Sequence, residues 1–194
     1  MPDIPVLLTP RLLLSGFTVA DADRIAEFAG DFGVAEMLVN TPHPYPDGMA
    51  QAWVDTHEEH WNRGNALYLA VRDRADGRML GCVELHDMQP GHRAELGYWM
   101  AQPYWGRGYA TEAARALVIF AFQHLGLYRL DATAFARNAP SICILERLGF
   151  QSEGLRPGYT RSIAGLEDVL LYGLLREDFL RMLALAAPDT AQGG

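Results

Sequence analysis

A short glycine-rich turn, placed between an apolar strand pattern and an alanine-rich helix pattern, is the stretch best suited to chemistry. Residues 95–114 read ELGYWMAQPYWGRGYATEAA, and Gly106, Arg107 and Gly108 lie where the helix begins. Unpaired backbone N–H groups and the positive end of the helix dipole favour an anion at such a point. Small residues let a phosphate approach the backbone, and Arg107 adds a positive charge. The turn therefore predicts an anion site.

Two well-known phosphate-binding motifs do not fit this turn. A Walker loop would end in Gly-Lys-Ser/Thr, which is missing here. The three-glycine spacing and the acidic residue of a Rossmann fingerprint are not in register. A second block follows about thirty residues further on, where residues 138–150 read NAPSICILERLGF. An assignment must account for both blocks.

The two blocks together resemble the GNAT superfamily of acetyl-CoA-dependent N-acyltransferases. Its pyrophosphate loop, Gln/Arg-x-x-Gly-x-Gly/Ala, matches residues 105–110, and its Asn-x-x-Ser/Ala helix ending in Leu-Gly-Phe matches residues 138–150. Within the superfamily, TPRLLL at 9–14, GYW at 97–99 and WGRGYATEA at 105–113 resemble the Rim-type branch, which acetylates protein N-termini. The resemblance spans roughly Leu7 to Leu175.

The resemblance implies a function and a set of partners. The expected enzyme transfers an acetyl group from acetyl-CoA to a primary amine by direct ternary-complex transfer, and the favoured acceptor is a protein or peptide N-terminus. A small amine, such as a polyamine, an amino sugar or an antibiotic, is an alternative acceptor. A CoA-binding sensor without turnover is an alternative from another class, because a fold does not guarantee activity. Similar proteins are commonly homodimers.

The resemblance also implies which residues bind acetyl-CoA. They are Tyr98, Trp99, Met100, Trp105, Gly106, Arg107, Gly108, Tyr109, Ala110, Thr111, Asn138 and Ser141. Trp105 departs from the pattern, because the superfamily usually has Gln or Arg there. Backbone N–H groups and Arg107 should therefore carry more of the phosphate binding, with Arg137 and Arg147 as helpers.

Acyl transfer to an amine needs a base that removes a proton from the ammonium, and an acid for the departing thiolate. Glu95 is the candidate base, since some GNAT enzymes have a carboxylate at a similar position, although a solvated strand face is the alternative. Glu84 is a poorer candidate. Many GNAT enzymes protonate the thiolate with a tyrosine at the position of Leu145, so Ser141 becomes the nearest substitute. By resemblance, Asn138 is also a catalytic candidate that contacts the pantetheine arm or the catalytic water, and Ser141 lies near the CoA sulfur. Both residues are equally compatible with ordinary helix-start roles.

Bulk properties exclude several classes of function. A net charge of −8 over 194 residues argues against a general nucleic-acid surface. No apolar run approaches a membrane span, and no secretory signal is visible, so a cytoplasmic protein is expected. Cys82 and Cys143 lack metal-ligand spacing, and the six histidines form no metal-like pattern. We expect no metal cofactor.

The hydrophobic periodicity predicts an α/β (α+β) fold with a mixed sheet flanked by helices, and the resemblance implies that this sheet is GNAT-like and splayed. Strands are predicted at Arg11–Ser15, Leu67–Val71, Met79–His86, Ala94–Met100, Leu130–Phe135, Phe150–Leu155 and Asp168–Leu174, and helices at Asp21–Ala29, Met49–Asn62, Thr111–Leu125 and Pro140–Leu148. Residues 1–185 form one domain, followed by a flexible tail at 186–194. By resemblance, the sheet splays between Ala94–Met100 and Leu130–Phe135. Two predicted loops, Asn40–Gly48 and Tyr159–Glu167, are expected to form the acceptor pocket.

Overall fold

Eight strands form one mixed sheet in the computed structural model of the protein, which describes residues 3–186. The strands are Leu7–Leu8 (β1), Leu12–Ser15 (β2), Leu67–Asp73 (β3), Met79–Gln89 (β4), Arg93–Met100 (β5), Arg129–Phe135 (β6), Gln151–Ser162 (β7) and Gly165–Leu175 (β8). Their order across the sheet is β1-β2-β3-β4-β5-β6-β8-β7. Neighbouring strands are antiparallel except β5 and β6, which run parallel. The predicted mixed sheet is confirmed.

Helices cover both faces of the sheet. They are Ala22–Ala29 (α1), Phe32–Ala35 (α2), Met49–Asp55 (α3), His57–Arg63 (α4), Tyr109–Gln123 (α5), Ala139–Arg147 (α6) and Arg176–Ala186 (α7). The larger apolar cluster lies between one face of the sheet and α5, with Leu117 and Leu130 fully buried. A smaller cluster lies on the opposite face, where α1 and α3 cover Ala70 and Met79. The alternation of side chains along each strand supplies the two apolar faces.

The sheet opens between β5 and β6. These strands pair at only three positions, Arg93 with Arg129, Ala94 with Leu130 and Glu95 with Asp131. Beyond Glu95 the described strands no longer pair, although β6 continues to pair with β8 up to Phe135. The splay expected between these two strands is therefore present. On the edge of β5 that faces β6, the backbone N–H and C=O groups beyond Glu95 have no sheet partner, whereas the other edge stays paired with β4.

Three sequence-based expectations were wrong. The helix predicted over Met49–Asn62 is two helices that meet at Thr56, whose hydroxyl and N–H both donate to the Trp53 carbonyl. A side-chain hydroxyl that bonds to the preceding turn competes with regular helix geometry. As a result, Trp53 packs in the smaller cluster and Trp61 in the larger one, although a continuous helix would place them on nearly the same face.

The other two errors lie near the C-terminus. Tyr159–Glu167 is the end of the β7–β8 hairpin rather than an irregular loop, with Thr160 paired to Glu167. A helix, α7, follows β8 directly where the sequence analysis predicted no helix, and its Phe179 is fully buried against the core. The flexible tail predicted for 186–194 lies outside the described residues beyond Ala186, which ends α7.

Candidate active site

The glycine-rich turn has the backbone shape that its sequence predicts. Gly106 and Gly108 adopt left-handed φ angles of 69° and 77°, which other residues adopt only at a cost. A Cβ atom at Gly106 would meet nothing within 4 Å, and one at Gly108 would touch only the Arg11 guanidinium at 3.5 Å. The glycines therefore serve the turn itself and leave open space above it, where a ligand can approach the backbone.

Helix α5 begins directly after this turn without a side-chain cap. Its N-cap residue is Gly108, and no side chain bonds to the first-turn N–H groups. Such groups normally find a capping side chain, water or a ligand. Together with the helix dipole, they make the start of α5 suitable for a phosphate.

An ion pair between the N-terminal segment and α5 supports the turn from the side. Arg11 Nε lies 2.6 Å from Glu112 Oε2, and Arg11 Nη1 donates to the Arg107 carbonyl at 2.9 Å. The guanidinium also lies 4.6 Å from the Tyr109 ring centroid. Thr9 donates to the other oxygen of Glu112 at 2.6 Å. Burial would raise the pKa of Glu112, but the bonds from Thr9 and Arg11 outweigh it and hold the pKa below its ordinary value.

Trp105 takes the place of the polar residue that the family pattern would put at the turn. Its indole N–H donates to the Met100 carbonyl at 2.6 Å, while the residue as a whole remains about half exposed. The tryptophan therefore ties the turn to the end of β5. It offers no further polar group to an anion, as the sequence indicated.

One open cleft of about 450 Å³ runs from this turn to the gap between the strands. It is lined by every residue predicted to bind the cofactor except Arg107, which is exposed beside it. The additional lining residues are Val34, Met37, Leu38, Tyr104, Pro140, Cys143, Ile144 and Arg147. Arg147, which was expected to help with phosphate charge, is therefore at the cleft.

Arg137, the other expected helper, is engaged elsewhere. Its guanidinium donates to the Glu167 carboxylate at 2.8 and 3.0 Å and to the Glu36 carbonyl at 2.7 Å. It also lies 3.2 Å from a carboxylate oxygen of Glu36. These bonds join the segment after α2 to β8 and consume the donors that a phosphate would need. The expectation that Arg137 supports phosphate binding was wrong, because its partners come from segments far away in sequence.

Two hydroxyl groups meet at the inner part of the cleft. The Tyr98 hydroxyl lies 3.0 Å from Ser141 Oγ, and it can also donate to the Ser141 carbonyl at 3.2 Å. Burial raises the pKa of Tyr98 to about 12, so the phenol stays protonated at neutral pH. Asn138 caps α6, because its side-chain oxygen accepts from the Ser141 N–H at 3.2 Å. Leu145, one turn further along, is buried and offers no donor.

Glu95 lies apart from these hydroxyls, at the point where β5 and β6 separate. Side chains alternate along β5, so Glu95 faces away from the α5 side, which holds Leu96 and Tyr98. Its carboxylate accepts a hydrogen bond of 2.9 Å from the Thr133 hydroxyl across the gap. His86 and Asp87 also offer ligand atoms to Glu95, all within 4.8 Å of one another. The sequence reading did not anticipate this grouping of a histidine with two carboxylates.

A cleft of about 550 Å³ lies elsewhere, between the N-terminal segment and the α3–α4 region. Asp3, Asp55 and Glu58 contribute carboxylates to it, and it includes no residue of the glycine-rich turn. It therefore plays no part in the candidate site. Within residues 3–186, no helix combines the length and the apolar character that crossing a membrane requires.

Comparison with known proteins assigns the family. The model of the Acetyltransferase (GNAT) domain matches residues 11–151. The "Putative ribosomal N-acetyltransferase YdaF" of Bacillus subtilis is 36% identical over 166 residues, which cover 82% of this chain and 88% of that protein. The "[Ribosomal protein uS5]-alanine N-acetyltransferase" of Escherichia coli is 28% identical over 193 residues, covering 96% of this chain and 93% of that protein.

A solved structure shows the same fold. Mycobacterium smegmatis RimJ, in complex with CoA-disulfide, superimposes with a TM-score of 0.79 at 22% identity over 94% of this chain and 93% of that chain. The chain therefore belongs to the GNAT acetyltransferase family, in its Rim-type branch, and is an N-acetyltransferase.

Proposed function

We propose that this protein transfers the acetyl group of acetyl-CoA to the N-terminal amine of a protein or peptide, by direct transfer within a ternary complex. The observation that carries the proposal is the continuity of the 450 Å³ cleft from the uncapped start of α5 to the gap between β5 and β6. A pyrophosphate at the turn and a pantetheine arm along the unpaired edge of β5 would place the thioester at that gap. The ribosomal acceptors named for the relatives support a protein amine.

The proposed reaction uses both faces of the sheet, one for deprotonating the amine and the other for the departing thiolate. The acceptor amine reaches the thioester from the face that carries Glu95, which takes a proton from the ammonium directly or through water. The neutral amine attacks the thioester carbon, the C–S bond breaks, and the CoA thiolate leaves on the opposite face. After the attack the nitrogen is positively charged, and it loses its second proton to solvent. Ser141 gives its hydroxyl proton to the thiolate and regains a proton from solvent, and its hydrogen bond with Tyr98 holds the hydroxyl in place. A CoA thiolate is a tolerable leaving group near neutral pH, so the acid is helpful rather than indispensable.

A panel of amines tests this function. Hexapeptides with N-terminal alanine or serine, the same peptides with blocked N-termini, spermidine and glucosamine are each mixed with the enzyme and acetyl-CoA. Thiol release reports turnover, and mass spectrometry locates the acetyl group. We expect release with the free peptides and not with the blocked ones, and initial-rate lines that intersect, as a ternary complex requires.

Other outcomes identify the alternatives. Release with spermidine or glucosamine but not with peptides would replace the protein acceptor by a small amine. Binding of acetyl-CoA without amine-dependent release from any member of the panel would make the protein a CoA-binding sensor. Parallel initial-rate lines would contradict direct transfer.

A further inference from the structure

Glu84 lies on the acceptor face of the sheet, one strand away from Glu95. The register pairs Tyr68 of β3 with Glu84 of β4, and Glu84 with Gly97 of β5. Residues directly opposite one another across antiparallel strands share a face. Gly97 is two residues from Glu95 along β5, so it lies on the same face as Glu95. Glu84 and Glu95 are therefore diagonal neighbours on the side from which the amine approaches.

The carboxylate of Glu84 reaches across β5 toward the gap. A Cβ atom at Gly97 would lie 2.7 Å from Glu84 Oε1, which is closer than non-bonded atoms approach. The carboxylate therefore covers the backbone of Gly97, in a space that any other residue would fill. Gly97 lies two residues beyond Glu95, which is the last position of β5 that pairs with β6. Glu84 thus borders the opening between β5 and β6 although it belongs to β4.

Within residues 3–186, Glu84 forms no salt bridge, although the imidazole of His86, on the same strand face, acts on its carboxylate. Its one side-chain hydrogen bond there is a weak one of 3.8 Å from the Cys82 thiol. Burial raises the pKa of Glu84. His86 and Cys82 act to lower this pKa, and the nearby charge of Glu95 acts to raise it further. A half-buried carboxylate without a salt bridge is unfavourable for the folded state. A cationic ligand would supply the missing charge.

Aromatic rings form the wall beside this carboxylate. Tyr68 stacks on His57 at a centroid distance of 4.4 Å, and Trp53 packs edge-on against Tyr68 at 5.4 Å. Burial raises the pKa of Tyr68 to about 12, and the charge of Glu84 adds to this effect. Apolar walls reduce screening, so the attraction between a carboxylate and an ammonium is stronger here than in water.

We propose that Glu84 binds the ammonium group of the acceptor beside Glu95, and that these two carboxylates exclude amines that carry a carboxylate on the adjacent carbon. The inference rests on the proposed acetyl transfer and adds to it the class of amine selected. A free amino acid would bring its own carboxylate against Glu84 and Glu95, whereas a peptide N-terminus has a neutral amide at that place. The site therefore favours peptide amines over free amino acids.

The test compares alaninamide with alanine as acceptors for the wild type and for Glu84→Gln, with acetyl-CoA saturating. The two acceptors have the same side chain and differ in whether a neutral amide or a carboxylate follows the amine. The carboxylate also raises the pKa of the amine, but this difference is the same for wild type and variant and cancels when the two proteins are compared. We expect Glu84→Gln to raise the KM for alaninamide roughly tenfold with a much smaller change in kcat, because the lost interaction is a binding one. The preference for alaninamide over alanine, measured as the ratio of kcat/KM values, should fall by a factor of about five or more.

Two further variants control for charge and shape. Glu58→Gln removes one negative charge from an exposed position on α4 and should leave both the KM and the preference unchanged. Glu84→Asp keeps the charge and should retain more of the alaninamide preference than Glu84→Gln. Acetyl-CoA affinity and Tm of each variant establish that it is folded with an intact cofactor site.

The outcomes separate this inference from the function on which it rests. If the wild type acetylates alaninamide but Glu84→Gln keeps its KM and its preference, Glu84 does not bind the acceptor and the inference is wrong while the proposed function stands. If Glu84→Gln loses kcat without a change in KM, Glu84 acts in the chemical step and the inference is again wrong. If the wild type transfers acetyl groups to no amine, the proposed function fails and takes the inference with it.

Discussion

The hydroxyl pair of Tyr98 and Ser141 is the part of the site where the effect of removing one atom is easiest to interpret. Ser141 has two separable roles, because its backbone N–H bonds to the capping side chain of Asn138 while its hydroxyl bonds to Tyr98. An alanine keeps the first role and loses the second. A change at this residue therefore tests the hydroxyl without removing the cap of α6.

We predict that Ser141→Ala lowers kcat roughly tenfold or more without a change in acetyl-CoA affinity or Tm, because the thiolate then leaves without a proton donor. Single-turnover kinetics and calorimetry measure these quantities. Tyr98→Phe should have a smaller effect on kcat, since Ser141 retains its own proton. Ser152→Ala, on the exposed part of β7, is the control. A Ser141→Ala enzyme with the wild-type rate of the chemical step would show that the thiolate departs unaided.

Glu95 should affect the rate and not cofactor binding, because it faces away from the cleft. We predict that Glu95→Gln lowers kcat by about a hundredfold with an unchanged Kd for acetyl-CoA, since the amine then lacks its base. Stopped-flow thiol release and calorimetry provide the two measurements. The glutamine can still accept the bond from Thr133, so the strand geometry is kept. A near-normal kcat would return Glu95 to the role of a solvated residue and direct attention to an ordered water.

At the scale of the elements, the sequence predicted the parts that contain a strong local signal. The glycine turn before α5 and the loop at Asn40–Gly48 are where they were expected. Glycine and proline indicate the local backbone conformation, because glycine allows positive φ angles and proline fixes φ near −65°. The residues predicted to bind acetyl-CoA came from the resemblance of two sequence blocks, and in the structure all of them except Arg107 line the same cleft.

The elements that were missed have their cause outside the local sequence. The sequence predicted the first part of β7, as the strand Phe150–Leu155, but not its continuation to Ser162. Every residue from Gln151 to Tyr159 is exposed, so no alternation indicates how far the strand extends. It is a strand because it pairs with β8. Helix α7 follows β8 without any glycine or proline between them, so nothing in the sequence marks the change. Arg137 likewise looked free because Glu36 and Glu167 are distant in sequence.

The turn before α5 allows a matched comparison of two glycines. Gly77 and Gly108 have nearly the same φ, 74° and 77°, and a Cβ would meet no close contact at either position. We predict that Gly77→Ala and Gly108→Ala destabilise the protein by a similar amount, about 1–2 kcal/mol, because both force an alanine into the left-handed region. Only Gly108→Ala should also weaken acetyl-CoA binding, since its methyl group occupies the space above the turn. Thermal unfolding and calorimetry separate the two effects, and equal acetyl-CoA affinities would contradict the phosphate site.

At the scale of the whole molecule, Arg137 joins parts of the chain that enclose the cleft. It lies between β6 and α6, and its partners are Glu36, just after α2, and Glu167 on β8. The side chain of Glu167 is only 7% exposed and also accepts a bond of 2.7 Å from Ser162. The bond from Arg137 is the largest influence on Glu167 and holds its pKa below the ordinary value of 4.5. Because α2 contributes Val34 to the cleft wall, this link connects the stability of the fold to the shape of the site.

The dependence of stability on pH tests this link. A lowered pKa means that the Glu167 pair stabilises the fold above about pH 4.5 and that this stabilisation is lost as the pH falls through the folded-state pKa. We predict that Arg137→Ala destabilises the protein by about 2 kcal/mol at pH 7, below the usual cost of breaking a buried pair because Arg137 is itself one-third exposed. At pH 4 the loss should be smaller, since the unpaired Glu167 of the variant can then take a proton. Adding Glu167→Gln to Arg137→Ala should restore part of the stability at pH 7. The control is Arg24→Ala, which breaks an exposed pair with Glu27 and a contact of 5.7 Å with the Phe28 ring, and which should cost little at either pH. Denaturant unfolding at the two pH values measures all four proteins, and a loss from Arg137→Ala that is equal at both would show that the arginine acts through packing and not through the charge of Glu167.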